Sequence, residues 1–544
     1  MANYRTDRYH QRLEALRSEY SSFRAHHMEL SEFVAPVRGR FLVTDRNKGK
    51  KRHHEIINDT ATRAHRTLIA GLMAGITSPA RPWFRLETPD KDMMEYGPVK
   101  HWLAAVEALM RDIFNQSNFY NMLPPMYGEE GLFGTGCMLQ VDDFEDVTRF
   151  FTQSVGGYYL AASDRGTIDT FYREYENTVS QIVRKFGLDR VSDSIRRAYD
   201  TGKYDSWYPI AHAIEPNIGR NTQSAFAKNK PFRSVYFEQG RDGDTFLRES
   251  GFDRFPVRAP RWETTLDDVY GTNSPGIMSL GSVKQLQFEE REKGKAIAKK
   301  VTPPLKGPGS LKNVRLRQLP GSAVLYTNND PNNKDGLSPI HDPNISLGDL
   351  REDIAAVEDR ISKAYFVDVF FAISQMEGVQ PRNIMELSER KEEALLQLGP
   401  MLQQQHNELL DPTIDDTFAR IVETDIMPPP PEELQGSPLK VEYISILAQA
   451  QRAIGVGTIE RMSSFVTGLM DAGLSDGRKF DGDQAIDEYA AMTGVVPKVI
   501  RTDEDVAALR AEEQKMQQAM AVAEMAKPAS DAADAASKLG DLAQ

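Results

Sequence analysis

The chain has 544 residues, 40% of them hydrophobic, and a net charge of −13, so it is long enough for roughly three or four globular units with substantial cores. No window approaches about 18 uninterrupted apolar residues, which excludes a membrane-spanning helix. The lone cysteine, Cys137, excludes an internal disulfide framework or a multi-cysteine metal site, and the acidic balance argues against a protein that coats nucleic acid, because duplex affinity comes mainly from Lys and Arg displacing counterions.

The N-terminus, MANYRTDRYHQRLE, is charged and has no apolar centre, so the reading expects no secretory signal and a reducing, cytosolic origin. Residues 5–35 read as a helix, followed by a basic surface loop, Lys48 to His54. His53-His54-Glu55 lacks the i, i+4 histidine pair of a zinc protease. Asp59 to Thr77 reads as an amphipathic helix through Ala61, Ala64, Leu68, Leu72 and Ile76. Thr77-Ser-Pro-Ala-Arg-Pro-Trp-Phe84 then ends it and opens a strand, WFRLE. Helices are expected at 97–116 and 119–133, strands with a hairpin around Gly156-Gly157 within 136–170, and helices over 175–201. Residues 206–265 return to strand-like patterns rich in aromatic side chains, among them Trp207, Tyr208, Tyr236, Phe237 and Phe246, turned by Asp242-Gly243-Asp244. The whole reads as α+β and mainly helical.

Val269 to Gly276 breaks the chain, and Ser279 to Lys300 reads as a helix stopped by Pro303-Pro304. An irregular stretch follows to residue 346, with strands expected at Val314 to Gln318 and Ala323 to Thr327; such insertions are usually functional or disordered. From Leu347 to Ala364, Leu347, Ile354 and Ile361 recur every seven residues, as do Leu350, Val357 and Ala364. That seam is made for another helix, either on a neighbouring subunit or within the chain against 280–300. Between Lys284 and Arg317 ten basic residues face three acidic ones, against the trend of the chain.

Asn383 to Pro412 reads as a long amphipathic helix. Asn383 with Glu386 makes a variant capping box, and Met385, Leu395, Leu398, Leu402 and Leu409 mark the packed face. Pro400 and Pro412 should kink or interrupt it near 396–400 and again near 411. Pro428 to Pro431 with Gly436-Ser437-Pro438 is a linker, 439–502 reads as a small helical region, and Val506, Leu509, Met516 and Met520 lie on a last helix before an Ala/Asp/Ser-rich end expected to be disordered.

Chemistry is missing from the motifs. There is no phosphate-binding P-loop, no dinucleotide fingerprint, no H-E-x-x-H and no G-x-S-x-G elbow, so the reading expects no enzyme, cofactor or metal. The acidic pairs Asp142-Asp143 and Asp415-Asp416 read as solvated surface.

The wording of Glu389-Arg-Lys-Glu-Glu393 through Leu398-Gly-Pro400, the Glu408-Leu-Leu-Asp-Pro412 end, the helix-TSP-x-x-x-WF-strand unit ending at Phe84, and Pro438-Leu-Lys-Val-Glu-Tyr443 resembles the head-to-tail connector (portal) proteins of short-tailed bacteriophages. That resemblance implies a portal fold: wing 1–274, stem helices 275–302 and 347–369 around a clip 303–346, tunnel loop 370–384, long wing helix 385–425, linker 426–438, crown 439–502, and a terminal helix with tail 503–544. It implies a heterologous ring, generally of about twelve subunits, at one capsid vertex. Duplex DNA would pass through its centre without sequence recognition. The partners implied are the terminase large subunit, a tail adaptor, and the major capsid and scaffolding proteins, with no membrane; the place would be the virion, after assembly in the host cytoplasm.

On this reading Lys293, Lys295, Lys299 and Lys300 make sparse basic contacts in an otherwise acidic channel, Gly378 gives the tunnel loop flexibility, and Arg382 touches phosphate. Lys306, Lys312, Arg315 and Arg317 in the clip suit acidic partner surfaces as well as phosphate. Leu347, Leu350, Ile354, Val357 and Ile361 are the candidate ring contacts. The alternatives are another virion ring component, such as a tail adaptor or tube protein, and a nucleic-acid-processing enzyme.

Overall fold

The computed structural model describes residues 6–44, 49, 53–90, 93–94, 96–239, 246–265, 268–301, 305–306, 338–339, 347–375, 397–424, 426–434, 439–474, 479–493, 501 and 506–518. Two compact units form. One joins Met1–Thr77, Ile113–Glu377 and Leu396–Glu423; the other joins Ser78–Asp112, Gly378–Leu395 and Thr424–Gln544.

The first unit is built on a five-stranded antiparallel sheet of β4 (Tyr158–Ala162), β5 (Ile168–Thr178), β6 (Trp207–Pro216), β7 (Phe232–Glu238) and β8 (Arg248–Phe252), in that spatial order. Alternation along the strands gives it two apolar faces. Helix α1 (Asp7–Val34) serves one face, where Tyr9 meets Phe237 at 5.9 Å and Arg17 pairs with Glu174. Helices α5 (Val179–Phe186) and α6 (Asp193–Asp200) cover the other, enclosing Val179, Ile182, Phe186, Ile195, Ile210 and Leu247.

Two local expectations need correction. The helix expected from residue 175 begins only at Val179, because β5 stays paired with β6 to Thr178, whose hydroxyl and backbone then make a capping box with Gln181. Gly156-Gly157 is not a hairpin turn. The hairpins of this stretch are β2 (Met138–Asp143) with β3 (Val147–Thr152), and β4 with β5; β9 (Val257–Arg258) pairs with the other side of β2. Asp143 Oδ1 closes the first by accepting from the Glu145 and Asp146 amides. Gly156, at φ +88°, instead lets the chain cross from one sheet to the other against the Arg40 carbonyl, where a Cβ would lie 2.7 Å from the oxygen. The Asp242-Gly243-Asp244 turn and the strands expected at 314–318 and 323–327 lie outside the described residues.

The helical layer follows the apolar stripes. Ala61, Ala64, Leu68, Leu72 and Ile76 are all buried on and just after α2 (Thr60–Gly75), which packs on α4 (Phe119–Phe133). The long C-terminal helix of this unit begins as α10, continuous from 397, but His406–Leu410 form a π turn directly before α11 (Asp411–Glu423). Pro412 lacks an amide and would strike the carbonyl four residues back, and the wider turn relieves both problems. The interruption expected near residue 411 therefore takes this form. The helix start at Asn383 lies outside the described residues.

In the second unit two sequence motifs meet. β1 (Phe84–Glu87) pairs antiparallel with β12 (Lys440–Tyr443), setting Phe84 opposite Tyr443 and Leu86 opposite Val441. Helix α3 (Gly97–Gln116) supplies Val99, Trp102, Leu103, Val106 and Met110 to the core, and the Trp102 indole donates to the Pro428 carbonyl at 2.9 Å, fixing the proline linker. Helices α12 (Ile446–Asp471) and α13 (Gly482–Thr493) pack on each other, and 506–518 is helical. Among the described residues no helix is long and apolar enough to cross a membrane.

Candidate functional site

Helices α7 (Pro275–Val301) and α8 (Leu347–Ala364) pack together. Pro275 suits a first helical position, and Ser274 caps the turn through the Ile277 amide. Early in α7, Leu280, Val283, Leu286 and Gln287 are buried; from Arg291 to Val301 no residue is buried. The first described residues of α8 are likewise open to solvent, and burial begins at Ile354. The pair thus leaves the body of the unit at the end that carries residues 302–346. There β10 (Leu305–Lys306) pairs antiparallel with β11 (Ser338–Pro339), drawing the two ends of that insertion together.

A polar clamp holds the buried end. Gln287 accepts from the Ile57 and Asn58 amides at 2.7 and 2.9 Å and donates to the Asn58 carbonyl at 2.8 Å, while the Asn58 side chain bridges Glu290 of α7 and Glu358 of α8. One short segment before α2 therefore ties three helices. The turn after α8 is sharp: Phe366 takes φ +53°, and α9 (Val367–Gln375) follows at once. Phe370 is fully buried against Gly71 of α2. Residues 370–375, placed in a loop by the sequence reading, are helical.

The basic residues of α7 divide into two kinds. Lys293 pairs with Glu290 at 2.5 Å and Lys295 with Glu292 at 2.6 Å, so half the expected positive charge is already balanced within the helix. Lys299 and Lys300 are exposed in the last turn, at the negative end of the helix dipole, and make no ion pair among the described residues. Lys306 lies in β10, with its side chain outside the description; Lys312, Arg315, Arg317, Gly378 and Arg382 lie outside the described residues.

The apolar seam of α8 corrects an expectation. Ile354, Val357 and Ile361 are 5%, 0% and 0% exposed within the single chain, so packing inside the subunit uses them and they are not available to a neighbour. Leu350 is half-buried, and the Leu347 side chain is not described. The exposed apolar residues of the hairpin are on α7, where Met278 is 70% and Phe288 61% exposed, with exposed Gly281 and Gln285 between them on one face.

Sequence reasoning also missed a buried polar network beneath the long helix. Arg258 reaches Gln140 and Asp416, both at 2.9 Å; Arg420 pairs with the same carboxylate at 3.0 Å; and Arg261 pairs with Glu408. Asp416, read as solvated surface, is buried because these arginines face it, and burial raises its carboxyl against the opposing pull of Arg258. Nearby, the Gln405 amide donates to Glu130, and burial followed by the Glu408 charge pushes the Glu130 carboxyl well above its usual range. The signal available in sequence was the recurrence of Gln405, Glu408 and Asp416 among apolar helical positions. Among the described residues no cluster of His, Cys, Asp and Glu could hold a metal ion.

A profile described as bacteriophage head to tail connecting protein matches residues 6–500. The chain is 43% identical over 533 residues to the portal protein of Salmonella phage epsilon15, covering 98% of this chain and 95% of that one. It is 42% identical to the probable portal protein of Bordetella phage BPP-1, covering 97% and 94%. Among solved structures, a chain from the neck of an empty gene transfer agent particle aligns over 78% of this chain and 93% of that one at 13% identity and a TM-score of 0.32. One from a native gene transfer agent virion aligns over 87% and 99% at 12% identity and a TM-score of 0.33.

Proposed function

The chain belongs to the bacteriophage head to tail connecting protein family, and on that premise we propose that about twelve copies close into a ring at one capsid vertex and pass duplex DNA through its centre. The observation that carries this reading is the 43% identity to a portal protein sustained over 98% of the chain. The protein acts as a structural component of the virion, and a partner supplies any ATP-driven motor.

The α7–α8 pair suits a stem because it leaves its unit as two exposed helices. Met278 and Phe288 suit one half of a heterologous contact: they are apolar, share a face and are exposed in the single chain. Lys299 and Lys300 suit sparse contact with passing phosphates, since a denser basic lining would hold the duplex too tightly to move. The insertion 302–346 would dock the terminase large subunit during packaging and the tail adaptor afterwards, while the outer surface meets major capsid and scaffolding proteins.

Charge reversal tests the channel assignment. The variant K299E/K300E should form rings yet package DNA more slowly or less completely; packaging equal to wild type would remove these residues from the channel.

A further inference from the structure

One register row crosses all five strands of the large sheet: Tyr158 lies beside Arg173, Arg173 beside His212, His212 beside Tyr236, and Tyr236 beside Arg248. Residues so paired share a face, and helix α5 adds Lys185 to it. The Lys185 ammonium is 4.6 Å from the Tyr236 ring centroid, His212 stacks on the same ring at 3.8 Å and 6°, and the Arg173 guanidinium lies 4.5 Å over Tyr175. Three cations therefore share one face of the sheet with Tyr175, His212 and Tyr236, in a chain that is acidic overall.

Nothing among the described residues balances them. Arg173 donates to the neutral Gln153 amide, and neither it nor Lys185 nor Arg248 forms an ion pair with a described carboxylate. Glu238, further along the same face, is engaged by the Ser192 amide at 2.8 Å. Packing against Tyr236 strips part of the water from the Lys185 ammonium, and with the Arg173 and Arg248 charges this lowers it to about 8. Among the described residues Arg173 Nε and His212 Nδ1 are also buried without a hydrogen-bond partner. Lys185 and Arg248 are themselves exposed, so the cluster is open to solvent.

We propose that Arg173, Lys185 and Arg248, floored by Tyr236 and His212, form a binding site for a phosphate-class oxyanion, either free or in a nucleic-acid backbone. An arginine fork and a lysine suit a tetrahedral dianion, and charge-assisted hydrogen bonds are the strong ones. The site is separate from the α7–α8 hairpin and stands whether or not that hairpin lines a channel.

The test uses the full-length protein in a phosphate-free buffer at constant ionic strength. Inorganic phosphate is titrated by calorimetry and by thermal stabilisation, which a ligand of the folded state must produce. Wild type should bind saturably, with a dissociation constant near ~1 mM or tighter. K185Q and R248Q, both changes of exposed side chains, should weaken binding by about tenfold or more each. The control R190Q, on the connection between α5 and α6, should bind like wild type.

A second arm adds a short DNA duplex. Duplex affinity weakened by the same two variants assigns the site to backbone phosphate, and unchanged duplex affinity assigns it to free phosphate. The variant D242N/D244N, in the β7–β8 connection, supplies the remaining control. Phosphate binding by this variant but not by wild type would overturn the proposal, because the chain's own carboxylates would then fill the site. So would equal binding by wild type, K185Q and R248Q, or no saturable binding at all.

Discussion

Gly71→Ala tests the lock between α2 and α9 that follows the stem-like hairpin. A Cβ at Gly71 would lie 2.2 Å from Phe370 Cγ and Cδ1 and 2.3 Å from its Cβ. The ring is fully buried and has no open side to swing toward. Alanine gains about 1 kcal/mol in a helix interior, whereas overpacking a filled core costs about 1–3 kcal/mol. The contact is close on three atoms, one of them next to the backbone, so the upper end applies and a net loss of about 1–2 kcal/mol is expected. Phe370→Ala alone should cost about 3–5 kcal/mol. In the double variant the close contacts with Cγ and Cδ1 are gone while the one with the Cβ of residue 370 remains, so the combined loss should fall short of the sum by about 1 kcal/mol. Denaturant melts, with hydrogen exchange on peptides covering α2 and α9, would measure all three. A G71A protein as stable as wild type, or strictly additive losses, would refute the packing argument.

Three further outcomes follow from named contacts. Burial, then the hydrogen bond and charge of Glu442, raise Glu87 to about 7 from its ordinary 4.5; the folded state therefore holds this proton more tightly, and stability is full below about pH 4.5 and declines as pH rises toward 7. E87Q should remove that decline, melting higher than wild type at about pH 8 by roughly 1–2 kcal/mol after solvent screening and equally at about pH 4. D416A would leave the buried Arg258 without its paired carboxylate and should cost about 3–5 kcal/mol, whereas conservative D416N should cost less; equal melts for D416A and wild type would dismiss the network. F288D changes an exposed residue, so the subunit should melt as wild type does while ring formation fails, which sedimentation would detect; normal rings would move the subunit contact elsewhere.

Much of the fold could be read because apolar periodicity reports directly on packing. The α2 stripe, the start and end of α8, and the strand at Phe84 follow from that signal. What periodicity does not specify is the partner. The Phe84 and Val441 segments read as unrelated motifs more than 350 residues apart in sequence, and only the fold makes them one ladder. Ile354, Val357 and Ile361 fit an inner or an outer helix equally well until α7 is seen beside them. Buried charge was the least legible feature, since Asp416 looks like any surface acid unless Arg258, 158 residues earlier, is known to face it. The extension of β5 to Thr178 was hidden for a related reason, because its pairing with β6 outweighs the helix-like pattern that begins at residue 175.

The most direct test of the account is the mass and rotational symmetry of the purified protein, from light scattering and electron-microscope class averages. Closed rings of about twelve subunits around a channel wide enough for a DNA duplex are expected. A stable monomer or dimer across salt and protein concentrations would contradict this expectation.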